Sequence, residues 1–218
     1  MNALDRLRAG YEKFCEAYFS GDNSTFKDLV SKGQSPKVLI IGCCDSRVSP
    51  SIITQAEPGE LFTIRNVANL VPPYTHEEEA YHGVSAAIEF AVRHLEVEHI
   101  VVLGHSQCGG IRALMQSEIL EQKDSFISTW VSIAKAAKDK VNAQLPDASM
   151  DQKCNVCEQE ALLISLNNLL SFPWVKSQVD AKKLHLHAWH FDLDSGQLAE
   201  FTPENHAAQI LYHYSQSK

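Results

Sequence analysis

Three residues of complementary chemistry follow the apolar run Val38–Ile41. Cys43, Asp45 and Arg47 supply a thiol, a carboxylate and a guanidinium at every second position. Successive side chains of an extended chain point to opposite faces, so these three should share one face while Cys44 points away from them. A soft metal ligand with an acid–base pair beside it indicates metal-dependent chemistry.

A second chemical stretch, Gly104–Gly110, follows the apolar run that begins at His99. Such a run is typical of a central parallel strand buried on both faces, and ligands bind beyond the carboxyl ends of such strands. His105 and Cys108 lie three residues apart in the loop that follows, where both can reach one ion. With Cys43 they make one of the three-ligand sets of a catalytic zinc with an open fourth position.

Each of these features also has a less specific interpretation. A lone cysteine after an apolar strand is usually a small buried apolar side chain. Two glycines after a strand can simply separate that strand from a helix. The joint pattern favours a metal site, because two strand ends carry one thiol each, with a histidine and a charged pair beside them.

The remaining patterns predict the elements that position these residues. Strands are predicted over 37–43, 61–65, 99–104, 184–191 and 197–201, with a hairpin turn at Asp194-Ser195-Gly196. Helices are predicted over 3–32 (broken at 21–24), 77–95, 109–122, 125–144 and 157–171, and from Pro173. A short helix and a turn are predicted between Pro50 and Pro58-Gly59. The fold class is therefore α/β: a mainly parallel central β-sheet with an antiparallel edge, flanked by α-helices, with an N-terminal helical arm.

Length, charge and hydropathy limit the classes of function. A chain of 218 residues fits one α/β domain, and a net charge of −8 argues against nucleic-acid binding, which needs a basic surface. No apolar run is long enough to span a bilayer, and the N-terminus lacks the apolar region of a signal peptide. We therefore expect a cytoplasmic protein with no membrane partner, whose six cysteines are thiols or metal ligands.

Three motifs together resemble the β-class carbonic anhydrases. They are Cys43-x-Asp45-Ser46-Arg47, Arg65-Asn66-Val67-Ala68-Asn69 and His105-x-x-Cys108-Gly109-Gly110. Shorter matches extend the similarity over most of the chain: Gly33-Gln34-Ser35-Pro36, Glu57-Pro58-Gly59-Glu60, Val71-Pro72-Pro73-Tyr74, Ser165–Leu170 and His187-Ala188-Trp189. The plant-like branch looks closest. The resemblance implies a single domain over 1–218, with an arm at 1–32, a zinc-site core at 37–122, and helices and terminal strands at 125–218.

The resemblance implies a metal, a catalytic pair and a reaction. One Zn²⁺ per chain would be held by Cys43, His105 and Cys108. Asp45 and Arg47 would form the catalytic dyad. The implied reaction is the reversible hydration of CO2 to bicarbonate and a proton, by attack of a zinc-bound hydroxide on CO2.

General chemistry supports the role of the dyad. Zinc lowers the pKa of bound water from 15.7 to about 7, but two thiolates cancel the charge of the ion. A further group must then orient the hydroxide, and Asp45 can accept its remaining proton. Arg47 would keep Asp45 ionised and aimed through a two-pronged ion pair. The resemblance also allows Asp45 to close the site as a fourth ligand, and the sequence leaves both states open.

The resemblance further implies a substrate pocket for CO2 and bicarbonate. Its members would be Gln34, Phe62, Val67 and the backbone N–H of Gly109. Gln34 and Phe62 would come from the neighbouring subunit, so the protein would be a homodimer or a dimer of dimers with its sites at the interface. On their own evidence, Phe62 and Val67 fit a hydrophobic core equally well.

Some positions depart from the family or invite other interpretations. Phe90 stands where plant-like members commonly carry a tyrosine, and Ile40 stands where the branch with a regulatory bicarbonate site carries a tryptophan, so we predict no such site. Cys154 and Cys157 form an isolated Cys-x-x-Cys pair, which predicts no second metal. The histidines of the 184–191 strand are expected on the surface or as satisfied core residues.

Two other functions stay open at this point. The same fold could act on a CO2-like molecule such as carbon disulfide, which a direct comparison of activities would separate. A non-catalytic zinc protein would instead need a closed four-ligand site, and the presence of Asp45, Arg47 and Gln34 argues against it.

Overall fold

The central feature of the computed structural model is a six-stranded sheet. Described residues are 2–21, 23–75, 82–122, 124–201 and, for the backbone, 208–212. The strands are β1 (Val38–Cys43), β2 (Leu61–Asn66), β3 (His99–His105), β4 (His185–Phe191), β5 (Leu198–Phe201) and β6 (Ala208–Tyr212). Their order is β2-β1-β3-β4-β5-β6. The first four are parallel, and β5 and β6 are antiparallel to their neighbours, which confirms the predicted fold class.

Helices surround this sheet. They are α1 (Ala3–Phe19), α2 (Thr25–Lys32), α3 (Pro50–Thr54), α4 (Gly83–Glu89), α5 (Gly109–Met115), α6 (Ser117–Leu120), α7 (Phe126–Val131), α8 (Lys135–Gln144), α9 (Met150–Ser171) and α10 (Pro173–Asp180). Helix α10 begins at its proline, whose fixed φ suits a first turn. None of the helices in the described ranges is long and apolar enough to cross a membrane.

Four helical predictions differ from the structure. The helix expected over 109–122 is divided into α5 and α6, because Gln116 between them is extended. The helix expected over 125–144 is divided into α7 and α8 by a short 3-10 turn, Ser132–Ala134. Helix α9 begins at Met150 rather than near 157, because Ser149 and Gln152 cap its first turn reciprocally. Of the helix expected over 77–95, residues 77–81 lie outside the described ranges, and the rest is α4 followed by the wider turn Phe90–His94.

The sheet packs most heavily on one face. Leu39, Ile41, Ile100 and Val102 are fully buried there beneath α9. A second buried cluster lies under α5, α7, α8 and α9 and contains Cys43, Cys108, Cys154 and Cys157. The carboxyl ends of β1 and β3, where the predicted metal ligands lie, are therefore enclosed by protein.

The N-terminal helices form an arm with little burial. Helix α1 has no buried residue, and Leu4, Leu7, Tyr11 and Phe19 are each more than 60% exposed. Aromatic contacts around Phe26 hold α1 against α2. The arm thus presents an apolar surface to the outside of a single chain.

Candidate metal and catalytic site

Two strand ends bring together three side chains that could bind a metal ion. Cys43 is the last residue of β1, His105 the last of β3, and Cys108 follows in the loop before α5. Because β1 and β3 are adjacent and parallel, both ends lie at the same edge of the sheet. The three ligand atoms lie within 4.8 Å of one another, and no other such group occurs among the described residues. All three side chains are at most 4% exposed.

The imidazole of His105 is oriented for a ligand. Its Nδ1 lies 2.8 Å from the carbonyl oxygen of Ser106 and donates to it, since a carbonyl can only accept. That contact fixes the tautomer and leaves Nε2 as an acceptor. Nε2 is buried and has no hydrogen-bond partner among the described residues. A buried polar atom without a partner is costly, so this nitrogen fits a metal ion.

The two thiols also fit a divalent ion. Their sulfur atoms are 3.9 Å apart. The Cys108 thiol lowers the pKa of Cys43 by donating a hydrogen bond to it, and the same contact raises the pKa of Cys108. The protein alone therefore favours one negative charge on the pair. A cation between the sulfurs would let both thiols ionise, which matches zinc with two cysteines and one histidine.

The loop that carries the ligands is anchored from two other elements. Gln107 adopts a left-handed φ of 58°, and its side-chain amide donates to Asp194 at 3.0 Å. The backbone N–H of Cys108 donates to the buried carboxylate of Glu158 at 2.9 Å. These contacts fix the path of the chain between His105 and Cys108.

Asp45 and Arg47 form the two-pronged ion pair that the sequence predicts. Arg47 Nε and Nη2 donate to Oδ1 and Oδ2 of Asp45 at 3.0 and 2.7 Å. Arg47 Nη2 also donates to the carbonyl of Gln107 at 3.1 Å, which links the pair to the ligand loop. The guanidinium holds the pKa of Asp45 well below its usual range, so this carboxylate stays ionised.

Arg65 and Glu158 belong to the site, although no role for either residue is predicted from the sequence. Arg65 donates to the carbonyls of Cys43 and Asp45 at 2.8 and 2.7 Å. It therefore fixes the backbone on both sides of the exposed Cys44. A charged residue at the end of a strand was the available signal for Arg65. For Glu158 the signal was one carboxylate among the apolar positions of a helix.

A tight turn after β2 supports the start of α5. Ala68 and Asn69 both adopt left-handed backbone angles, with φ of 61° and 46°. A Cβ at Gly110 would lie 2.8 Å from the Cβ of Ala68, so only glycine allows this approach. Val67 is half-buried in the turn, and its carbonyl accepts from Trp130. Gly109 is exposed, and a Cβ there would meet nothing within 4 Å.

Within one chain, the residues of the predicted pocket form two groups that lie towards opposite edges of the sheet. Val67 and Gly109 lie near the ligands at the carboxyl edge of the sheet. Phe62 pairs with Leu39, four residues before the Cys43–Asn66 pair, so it lies roughly 13 Å towards the opposite edge. Gln34 precedes β1 at that edge and is exposed. This separation accords with the expectation that Gln34 and Phe62 serve a neighbouring subunit.

The other candidate residues are outside the group formed by Cys43, His105 and Cys108. Cys44 is exposed, whereas Cys154 and Cys157 are buried free thiols whose pKa values are raised, chiefly by burial. His187 contacts Glu200 at 2.6 Å and His99 at 3.1 Å. Glu200 lies on the adjacent strand β5, so the spacing of the histidines within β4 could not predict this contact.

A mainly parallel α/β sheet with a buried cysteine–histidine–cysteine group at its carboxyl edge defines a metalloenzyme class. The family description that matches residues 38–198 is carbonic anhydrase. "Beta carbonic anhydrase 3" of Arabidopsis thaliana is 39% identical over 198 residues, which are 90% of this chain and 76% of that protein. The chain belongs to the β-carbonic anhydrase family.

Solved structures agree with this membership. The β-carbonic anhydrase CcaA is similar with a TM-score of 0.87 and 34% identity, over 96% of this chain and 92% of the other. A tetrameric β-carbonic anhydrase from Sordaria macrospora is similar with a TM-score of 0.76 and 26% identity, over 95% of this chain and 96% of the other. The similarity therefore includes nearly the whole chain.

Proposed function

We propose that the protein catalyses the reversible hydration of CO2 to bicarbonate and a proton, with one zinc ion per chain. The observation that carries the proposal is the buried, unpartnered Nε2 of His105 within 4.8 Å of two thiols, in a member of this family. Cys43, His105 and Cys108 would hold the ion. Zinc, when bound there, supplies a nucleophile at neutral pH by lowering the pKa of water towards about 7.

Asp45 is the group that receives and orients a proton beside the ligands. Its backbone N–H lies 3.4 Å from the sulfur of Cys43, and its carboxylate interacts electrostatically with His105. Arg47 donates to Oδ1 from Nε and from its backbone N–H, and to Oδ2 from Nη2, which leaves a lone pair of Oδ2 for the reactants. An ionised, fixed acceptor contributes to the reaction without reorganising.

The pocket for CO2 and bicarbonate combines residues of two chains. Val67 supplies an apolar wall, and the exposed N–H of Gly109 at the start of α5 donates to the anionic product. Gln34 and Phe62 of a second copy complete it, with the side chain of Phe62 stacked on Phe90, whose ring centroid is 5.8 Å away. The family tyrosine at position 90 would add a hydroxyl to this aromatic pair.

The active assembly is a homodimer or a dimer of dimers. Two features support it: Gln34 and Phe62 lie far from the ligands of their own chain, and the arm exposes its apolar side chains. A relative from Sordaria macrospora is described as tetrameric.

The test combines metal analysis with kinetics. Protein loaded with zinc should contain about one ion per chain and should hydrate CO2 in a stopped-flow assay across a range of pH values. A rate no higher than that of the buffer, at full zinc content, would contradict the proposed reaction. Loss of hydration after removal of zinc by a chelator, and its return on reloading, is the matched control.

A further inference from the structure

Glu158 is a buried carboxylate that the reaction itself does not use. It is 3% exposed and lies on α9 among uncharged buried side chains, including Cys157, Ala161 and Leu162. A carboxylate in such surroundings is costly unless hydrogen bonds satisfy both of its oxygens. The positions of those two oxygens therefore carry information about what the residue does.

The two oxygens contact different elements of the metal site. Oε1 accepts the backbone N–H of Cys108 at 2.9 Å. Oε2 lies 3.4 Å from Nε2 of His190, whose side chain is 11% exposed on β4. His190 is paired in register with Gly104, the residue before the ligand His105. Glu158 thus connects one metal ligand to the strand beside the other.

The N–H of Cys108 lies at a sharp change in the backbone. Gln107 has a left-handed φ of 58°, and Cys108 has an extended conformation as the residue that caps α5. Its sulfur lies close to the first turn of that helix, beside the sulfur of Cys43 at 3.9 Å. The sulfur therefore lies beside α5, and the amide is held by Glu158. Together these contacts set the direction in which the thiol points.

We infer that Glu158 is a positioning residue: its carboxylate fixes Cys108 in the orientation that binds the metal, and His190 holds the carboxylate in place. The inference rests on the proposed zinc site. The hydrogen-bond acceptor at Oε1 is the active feature, and the full negative charge is not required for it. Groups that orient metal ligands in this way affect metal affinity about 10- to 100-fold when they are changed.

Two nearly isosteric variants separate the acceptor from the charge. Glu158→Gln keeps an oxygen for the Cys108 amide, whereas Glu158→Met keeps the volume and removes the acceptor. The amide N–H of the Glu158→Gln side chain pairs with His190 when the imidazole carries its proton on Nδ1 and accepts at Nε2. Glu160→Gln is the matched control, since Glu160 lies on the same helix and contacts Lys140 at 2.7 Å instead. Zinc affinity is measured by competition with a chelator, and the visible spectrum of the cobalt-loaded protein reports ligand geometry.

The expected result is a difference between the two variants. Glu158→Gln and Glu160→Gln keep affinity and cobalt spectrum close to those of the native chain, and Glu158→Met binds zinc about 10- to 100-fold more weakly with an altered spectrum. Thermal unfolding of the metal-free proteins separates positioning from simple loss of stability. Equal weakening in Glu158→Gln and Glu158→Met would overturn the inference, as would unchanged affinity in both.

A second measurement keeps the inference testable if Glu158→Met does not fold. Hydrogen exchange on the native chain should show the Cys108 amide strongly protected compared with the exposed Gly109, and Glu158→Gln should retain that protection. Exchange of the Cys108 amide as fast as that of Gly109 would overturn the inference. A native protein that binds zinc but does not hydrate CO2 would refute the proposed function alone.

Discussion

Arg47 chelates both carboxylate oxygens of Asp45 across a single intervening residue, with contacts of 3.0 and 2.7 Å. The backbone N–H of Arg47 adds a third donor to the same carboxylate at 3.0 Å. This arrangement leaves Asp45 little freedom to rotate and strongly favours its ionised form. It also gives the pH dependence of the enzyme a definite direction.

Arg47→Lys should weaken turnover and move its acid limb. A lysine cannot form the two parallel hydrogen bonds, so the pKa of Asp45 rises from its depressed value towards the ordinary one. The charged form is then lost at a higher pH as the solution is acidified. We expect kcat to fall by about 10- to 100-fold from misplacement of Asp45, and the acid limb of the kcat profile to move to higher pH.

The control for this prediction is Arg93→Lys. Arg93 pairs with Glu89 on the surface at 2.8 Å, far from the ligands. Arg93→Lys should leave both kcat and its pH profile unchanged. An acid limb that stays in place in Arg47→Lys would show that Arg47 does not govern the ionisation of Asp45.

Asp45→Asn should separate catalysis from metal binding. The amide keeps the shape of the side chain but is a poor proton acceptor, so turnover should fall by about 100- to 10,000-fold. Zinc content should stay near that of the native chain, because Cys43, His105 and Cys108 are unchanged. Zinc analysis beside stopped-flow kinetics checks both parts. Loss of zinc together with activity would identify Asp45 as a metal ligand.

Cys44→Ser and Cys43→Ser form a matched pair of neighbours. Cys44 is exposed and outside the ligand group, whereas Cys43 is 4% exposed within it. The first variant should keep zinc and hydration, and the second should lose both. In the native protein, a thiol reagent should modify Cys44 without chelator and should reach Cys43 and Cys108 only after zinc is removed. Loss of zinc from Cys44→Ser would contradict the assigned ligand set.

Gly110→Ala should lower the stability of the protein, whereas Gly109→Ala should lower its activity. A methyl at Gly110 would lie 2.8 Å from the Cβ of Ala68, so the turn or the helix must move, at a cost of about 1–3 kcal/mol. A methyl at Gly109 would meet no atom of the described residues within 4 Å, so the fold and zinc should remain. It would occupy space beside the proposed product site, and kcat/KM should fall. Thermal unfolding and kinetics distinguish the two; equal stability loss would contradict this assignment.

Subunit mixing tests whether Gln34 acts across an interface. Gln34→Ala and Asp45→Asn proteins should each be nearly inactive alone. A mixed dimer has one complete site, with Asp45 from one chain and Gln34 from the other. Random mixing of equal amounts should therefore restore about a quarter of the native activity. No recovery, once exchange of subunits is shown by mass, would mean that Gln34 acts within its own chain.

The grouping of Cys43, His105 and Cys108 could be predicted from the sequence because local rules determine it. Apolar runs identify β1 and β3, and the residues just beyond buried parallel strands meet at one edge of the sheet. The start of α9 was also accessible, since Ser149 and Gln152 have the spacing of a capping box. The break between α7 and α8 contains no glycine or proline, so no local sequence signal predicts it.

The supporting contacts depend on tertiary packing. Glu158 meets the amide of Cys108 across 50 positions of sequence, and Arg65 reaches the carbonyl of Cys43 across 22. In each of these contacts the side chain meets a backbone atom, which every residue possesses. The residue types in the sequence therefore do not reveal the contact. The exposed apolar arm was predicted as a helical element, but its lack of burial appears only once the sheet is formed.

The distance along the chain between the two sulfur ligands links metal uptake to folding. Cys43 and Cys108 are 65 positions apart, and their sulfurs come within 3.9 Å only when β1 and β3 are side by side. A partly folded chain offers His105 and Cys108 but lacks the third donor. Zinc should therefore select the completed sheet, and at a free concentration one hundred times its dissociation constant it would stabilise that state by about 2.7 kcal/mol. If the proposed zinc site is correct, metal loading would follow the completion of the sheet.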